Sequence, residues 1–350
     1  MKYSKLGSSG LSVSRVCLGT MTWGSQNVQN EADEQIEYAL SQGINFMDTA
    51  ELYPVPPAAE TAHKTEEIIG DWLSRNPGKR TDFILASKIT GPGIPHIRKG
   101  TVITGQNILD AVDASLSRLQ TDYIDLYQLH WPNWSNTMFG KHHPGDRSFS
   151  HLQTDQLSSQ ILENLEALDQ CVKAGKIRHF GLSNDLPWGV SEYIRLSREQ
   201  GLPRPVSIQN EFSLIHAVDW PCLIEYCIRE GVAYMPWSPL AGGFLTGKYQ
   251  NGARPEGCRW SKQQRNGLFR DTVLANKAVA EYVQVAEKHG LTPAQLALGW
   301  CDQIDGVTST IIGATRISHL KENLQVFEKP LSEDVLADVR QVYKKYPVPF

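Results

Sequence analysis

One arrangement of apolar and polar positions recurs along the chain: an amphipathic helix, a glycine, then a short apolar run. It reads EADEQIEYALSQG-INFMDTA near the start and LENLEALDQCVKAGK-IRHFGLSN in the middle, and returns as SEYIRLSREQG-LPRPVSIQN and CLIEYCIREG-VAYMPWS. Gly43, Gly175, Gly201 and Gly231 stand where each helix needs a terminating residue that tolerates positive φ. The runs that follow are too short and too apolar for half-exposed strands, and predict parallel strands buried on both faces. Eight are expected: Val16–Leu18, Asn45–Asp48, Phe83–Lys88, Ile124–Leu129, Ile177–Leu182, Val206–Gln209, Ala233–Pro236 and Thr310–Gly313.

Helical patterns separate these strands. NILDAVDASLSRL has Asn107 as a candidate cap, and TPAQLALGW opens on a capping box of Thr292, Pro293 and Gln295. Eightfold strand-helix alternation predicts an α/β fold, a (β/α)8 TIM barrel, over residues 1–350 as one domain. An open doubly wound sheet is the competing architecture, but no G-x-G-x-x-G follows any predicted strand. Three segments stand outside the repeat. KYSKLGSSGLSVS predicts an N-terminal β-hairpin across Gly7–Gly10, placed to plug the barrel bottom. Trp131–Leu157 and Ser238–Asp271 are long loops after the fourth and seventh strands, on the C-terminal face where barrel substrates bind.

Composition changes this picture little. The 350 residues carry a formal charge of −4, which gives no general field for nucleic acid or an anionic membrane. No apolar run approaches the roughly 20 residues of a membrane span, and MKYSKLGSSGLS lacks a signal-peptide core. A cytoplasmic protein is expected, with neither nucleic acid nor membrane as partner and no indication of oligomeric state. The six cysteines form no C-x-x-C pair and no metal-ligand spacing. Cys17, Cys171, Cys222, Cys227 and Cys301 fall in apolar stretches and are expected to be buried thiols.

Candidate chemistry lies at strand ends. INFMD ends in Asp48, FILASK in Lys88 and LYQLH runs into His130, while Tyr53 follows Asp48 in the same loop. A barrel gathers such ends around one mouth. There an ammonium beside a phenol favours the phenolate and is expected to lower the tyrosine pKa. Tyr53 can then exchange a proton with a carbonyl or alcohol oxygen, Asp48 can hold Lys88 charged, and His130 can polarise the substrate oxygen. Taken singly, each has a plainer reading: a helix cap for Asp48, a solvated strand end for Lys88, a satisfied histidine for His130, a loop anchor for Tyr53.

The segments MDTAELYP, LASKIT, LYQLHWP, GLSN, IQNEFSL, MPWSPLAGGFLTGKY and IIGATRISHLKENL resemble, in order, the aldo-keto reductase superfamily. The run GTMTWG…AELYPVPP is similar to its Tas-like branch. The resemblance implies an NADP(H)-dependent oxidoreductase for carbonyl or alcohol substrates, with Asp48, Tyr53, Lys88 and His130 as catalytic tetrad. It implies Ser183, Asn184 and Gln209 on the nicotinamide carboxamide and Trp237 stacked on its ring. Ser238, Leu240, Gly243 and Lys248 would cover the pyrophosphate. Gly313, Thr315, Arg316, His319, Glu322 and Asn323 would hold the adenosine and its 2′-phosphate. Trp23, Trp131 and Trp134 are candidates for the substrate pocket. The chain departs from the family pattern in the proline-rich stretch from Pro54 to Lys64, at His319, and in the long loop after His130. Two other functions fit the same barrel: a Schiff-base aldolase using Lys88, and a cofactor-binding, redox-sensing regulatory subunit.

Overall fold

The computed structural model describes residues 1–350 apart from 136, 142, 146, 150–152 and 262–267. Strands β1 (Tyr3–Lys5) and β2 (Ser12–Ser14) pair as an antiparallel hairpin. Its turn is pressed against the barrel bottom: a Cβ on Gly7 would lie 2.2 Å from the carbonyl oxygen of Val206, at φ +52. Only glycine fits there.

Eight parallel strands then form a nearly closed barrel: β3 (Val16–Gly19), β4 (Phe46–Asp48), β5 (Ile84–Ile89), β6 (Ile124–Leu129), β7 (Ile177–Ser183), β8 (Ser207–Glu211), β9 (Ala233–Trp237) and β10 (Thr310–Ile312). Neighbours follow chain order, and β10 pairs with β3. The seam between β9 and β10 is held by the Thr308 amide, which donates to the Tyr234 carbonyl at 2.9 Å. All eight expected strands are present, each displaced by no more than a residue or two at its ends.

Helices α1 (Gln29–Ser41), α2 (Lys64–Arg75), α3 (Gly105–Leu119), α4 (Thr154–Lys173), α5 (Pro187–Gln200) and α6 (Cys222–Glu230) connect successive strands from β3 to β9. Helices α7 (Val273–Lys288) and α8 (Pro293–Gln303) lie between β9 and β10, and α9 (Ile317–Leu324) and α10 (Glu333–Lys345) follow. The four glycines after α1, α4, α5 and α6 all have positive φ, between 63 and 77. Thr292 and Gln295 make the expected capping box of α8.

Three expectations need correction. The cap of α3 is Thr104, whose side chain accepts from the Asn107 amide; the helix starts a turn earlier than its apolar pattern, so Asn107 already lies inside it. Cys222 is exposed, because it opens α6 on the solvent side of the apolar stripe formed by Leu223, Ile224 and Cys227. The loop after β6 is shorter than expected, since α4 already begins at Thr154.

Inside the barrel, Leu6 and Val13 of the hairpin pack beneath Cys17, Phe46, Ala86, Leu126 and Met235. Burying apolar side chains here contributes about 25 cal/mol per Å² removed from water. This layer is the floor of the site. Among the described residues no helix is long and apolar enough to cross a membrane.

Candidate active site

A polar layer sits one side-chain step above the apolar floor. Two residues beyond Phe46, Ala86 and Leu126 stand Asp48, Lys88 and Gln128. Strand side chains alternate, so all three turn inward like the residues below them. Lys88 is fully buried. Its Nζ donates to Asp48 Oδ2 at 2.6 Å and to the Thr49 carbonyl at 2.8 Å. The other carboxylate oxygen, Asp48 Oδ1, accepts from Gln209 Nε2 at 2.8 Å and Gln128 Nε2 at 3.1 Å. Asp48 is therefore the hub of a buried network and caps no helix.

Tyr53 and His130 close this layer from above. Lys88 Nζ lies 4.9 Å from the centroid of the Tyr53 ring, and the Tyr53 and His130 rings meet edge to face at 5.7 Å. Both side chains line a cavity of about 1800 Å³ that opens at the C-terminal face. His130 Nδ1 is buried with no hydrogen-bond partner among the described residues. A buried polar atom left without a partner calls for an explanation, and at a cavity wall a bound ligand supplies one.

The electrostatics follow from burial and one charge pair. Burial alone would lower the Lys88 pKa, but Asp48 and then Tyr53 outweigh it and hold the ammonium above its usual pKa. Burial pushes the Tyr53 phenol up, and the Lys88 charge, pulling down, does not fully offset it. This corrects the expected depression of the tyrosine pKa. Asp48 neutralises much of the lysine field, so desolvation of the phenolate prevails. The phenol thus stays protonated at neutral pH, as a proton donor must. Burial, helped by Lys88, drives His130 well below the usual histidine range. Its ring is neutral and keeps one N–H to donate.

The ends of β7, β8 and β9 are tied together beside this centre. Asn184, at φ 54, donates from Nδ2 to the His130 carbonyl at 2.8 Å and to Ser183 Oγ at 3.0 Å. Trp237 Nε1 donates to Asn184 Oδ1 at 3.1 Å, and Ser183 Oγ donates to the Gln209 carbonyl at 2.8 Å. Asn184, Gln209 and Trp237 line the cavity, whereas Ser183 is buried behind them. Phe139 stacks on the Trp237 indole with centroids 5.8 Å apart.

Farther along the cavity lie Ser238, Leu240, Gly243 and Lys248, then Gly313, Thr315, Arg316, His319, Glu322 and Asn323. A Cβ on Gly243 would sit 2.9 Å from Lys248 Nζ, at φ +93. The glycine leaves the lysine room to lie across the loop. Arg316 is exposed and makes no ion pair among the described residues. Burial, then the charges of Lys248 and Arg316, keep His319 below its usual pKa. This end of the cavity thus presents permanent positive charge at the start of α9, where the helix amides would also favour an anion.

Of the pocket tryptophans, Trp131 and Trp134 line the cavity. Trp23 does not: it is fully buried in the core, with its indole N–H on Gln35 Oε1 at 3.3 Å. An early aromatic beside a strand end looks the same in sequence whether it turns toward the mouth or under α1. Three residues escaped the sequence reading. Gln128 had a signal, because it lies two positions before His130 and so shares its inward face. Glu51 and Arg98 had none, being paired across a loop. Among the described residues no cluster of three or more His, Cys, Asp or Glu is placed to hold a metal ion.

Residues 15–344 match the Aldo/keto reductase family. The chain is 42% identical to Protein tas of Escherichia coli (strain K12) over 100% of its own length and 99% of that protein. It is 29% identical to a probable voltage-gated potassium channel subunit beta of Arabidopsis thaliana, covering 99% and 98% of the two chains. It is also 35% identical to an aldo-keto reductase of Babesia bovis over 69% of this chain and 88% of that protein.

Proposed function

The chain belongs to the aldo/keto reductase family, in its Tas-like branch, and from that premise we propose that it is an NADP(H)-dependent oxidoreductase reducing aldehydes or ketones reversibly to alcohols. Family membership supports oxidoreductase chemistry in general. The finer reading rests chiefly on one observation: a fully buried ammonium held 2.6 Å from Asp48 and 4.9 Å from the Tyr53 ring, beneath a cavity shared with a neutral His130 whose Nδ1 has no hydrogen-bond partner among the described residues.

The residues present suit a dinucleotide. Arg316, which makes no ion pair among the described residues, and the Gly243 cradle under Lys248 favour its phosphates. Asn184 and Gln209 would hold the carboxamide, with Ser183 bracing Asn184 from behind, and Trp237 would cover one face of the ring. When bound, the nicotinamide supplies a hydride to a carbonyl carbon or accepts one from an alcohol carbon. Tyr53 hands its phenolic proton to the carbonyl oxygen and retrieves it in the reverse direction. Lys88 stabilises the phenolate left behind, and Asp48 keeps Lys88 charged. His130 donates its single N–H to the same oxygen as negative charge gathers there.

A Schiff-base role for Lys88 is disfavoured, since that chemistry wants a neutral amine and Asp48 holds this one protonated. A second reading, a cofactor-binding regulatory subunit with little turnover, is favoured by the similarity to the Arabidopsis channel subunit. A panel of aldehydes, ketones and sugars assayed for NADPH oxidation separates the two. Turnover on any class supports the enzyme, and tight NADPH binding without turnover supports the subunit.

A further inference from the structure

We infer that Glu51 and Arg98 form a clamp that positions the Tyr53 hydroxyl against Lys88 and His130. Glu51 is buried two residues before the tyrosine. Its backbone amide donates to the Lys88 carbonyl at 3.1 Å, and its Oε2 accepts from the Thr90 amide at 2.9 Å. Arg98 closes the ring: Nη1 pairs with Glu51 Oε1, and Nη2 donates to the Thr90 carbonyl at 2.8 Å. His63 Nδ1 adds a bond to the Glu51 carbonyl at 2.7 Å. The segment carrying Tyr53 is thereby fastened to the end of β5 that carries Lys88.

The loop from Thr90 to Gly100 also forms the wall behind the tyrosine. Ile97, next to Arg98, packs with Ala50, Leu52 and Tyr53. Arg98 is held at φ 44, a conformation that persists in a non-glycine residue only where surrounding contacts enforce it. Burial would raise the Glu51 carboxyl, but Arg98 and the Thr90 amide reverse this and keep it ionised below the usual range. Neither Glu51 nor Arg98 lines the cavity. They act through Tyr53, and this inference rests on the role proposed for that residue.

The test places meta-fluorotyrosine at position 53 in the full chain and compares the parent with Glu51→Gln, Glu51→Asp and Arg98→Lys. Arg98→Lys keeps the charge, removes the fork and changes a partly exposed side chain, so it remains informative if Glu51→Gln does not fold. The clamp predicts a shifted or broadened fluorine signal in Arg98→Lys and Glu51→Gln. It predicts a turnover of para-nitrobenzaldehyde lower by about 10–100-fold, the scale for a reacting group displaced by an ångström or less. NADPH affinity should stay within about twofold of the parent, and Glu51→Asp should recover part of the signal. An unmoved fluorine signal in a folded variant overturns the clamp, whether or not turnover falls. Full turnover in Tyr53→Phe would instead overturn the proposed function, leaving the fluorine result to judge the clamp on its own.

Discussion

The ammonium of Lys88 and the carboxylate of Asp48 meet at 2.6 Å, with side chains 0% and 3% exposed. Two charges taken out of water in this way gain little net stability as a pair, but each becomes costly when the other is removed. Asp48→Ala should therefore lose about 3–5 kcal/mol of stability, the scale for breaking a buried ion pair. The double variant Asp48→Ala, Lys88→Met should be more stable than Asp48→Ala alone. Denaturant melts of the three proteins check this, and a double variant no more stable than Asp48→Ala would count against a coupled pair.

His130→Ala should slow carbonyl reduction by on the order of 10²–10³, the usual cost of one oriented donor, while NADPH affinity changes little. In the proposed mechanism the histidine polarises the oxygen but supplies no net proton. Full activity on several carbonyls would remove it from the mechanism.

In the proposed reading, cofactor choice turns on Arg316. A 2′-phosphate carries close to two negative charges and suits a planar, permanently charged fork. His319, kept neutral by burial and by its cationic neighbours, offers one hydrogen bond at most. Arg316→Ala should lose roughly 1–3 kcal/mol of NADPH affinity and retain its NADH affinity. Titration of both cofactors by tryptophan quenching decides it. Equal weakening would make Arg316 structural, and tighter NADH binding in the parent would reverse the preference.

A pH dependence comes from Asp185, buried directly after Asn184. Burial raises its carboxyl to about 7, only partly countered by the Leu186 amide. The folded protein thus holds a proton that the unfolded chain releases near pH 4. Stability from this group is fully present below that pH and is lost as pH rises through about 7. Asp185→Asn should flatten the fall in melting temperature across this window and stabilise the protein at pH 8 by on the order of 1–3 kcal/mol. An unchanged melting profile would contradict the assignment.

Four of the barrel strands were legible as short apolar runs after a helix-ending glycine, and the other four as apolar runs set off by the helical or hairpin patterns beside them. The inward polar layer was legible too: Asp48, Lys88 and His130 each end such a run, and alternation fixes their face. What the sequence hid depended on contacts between distant segments. Trp23 packs in the core under α1 rather than at the mouth, with its indole N–H donating to Gln35 Oε1. The Glu51–Arg98 pair spans 47 positions and follows no periodicity. The direction of the tyrosine shift failed for a similar reason: burial and the Asp48 counter-charge both depend on the assembled barrel.

The central claim is that Tyr53 carries the proton, and Tyr53→Phe tests it most directly. The substitution keeps the ring, its packing beside Ile97 and its edge on His130, and removes only the hydroxyl. NADPH binding should be nearly unchanged by fluorescence titration, while reduction of every carbonyl that the parent accepts should vanish. An intact reduction rate in a variant that binds NADPH normally would contradict the account.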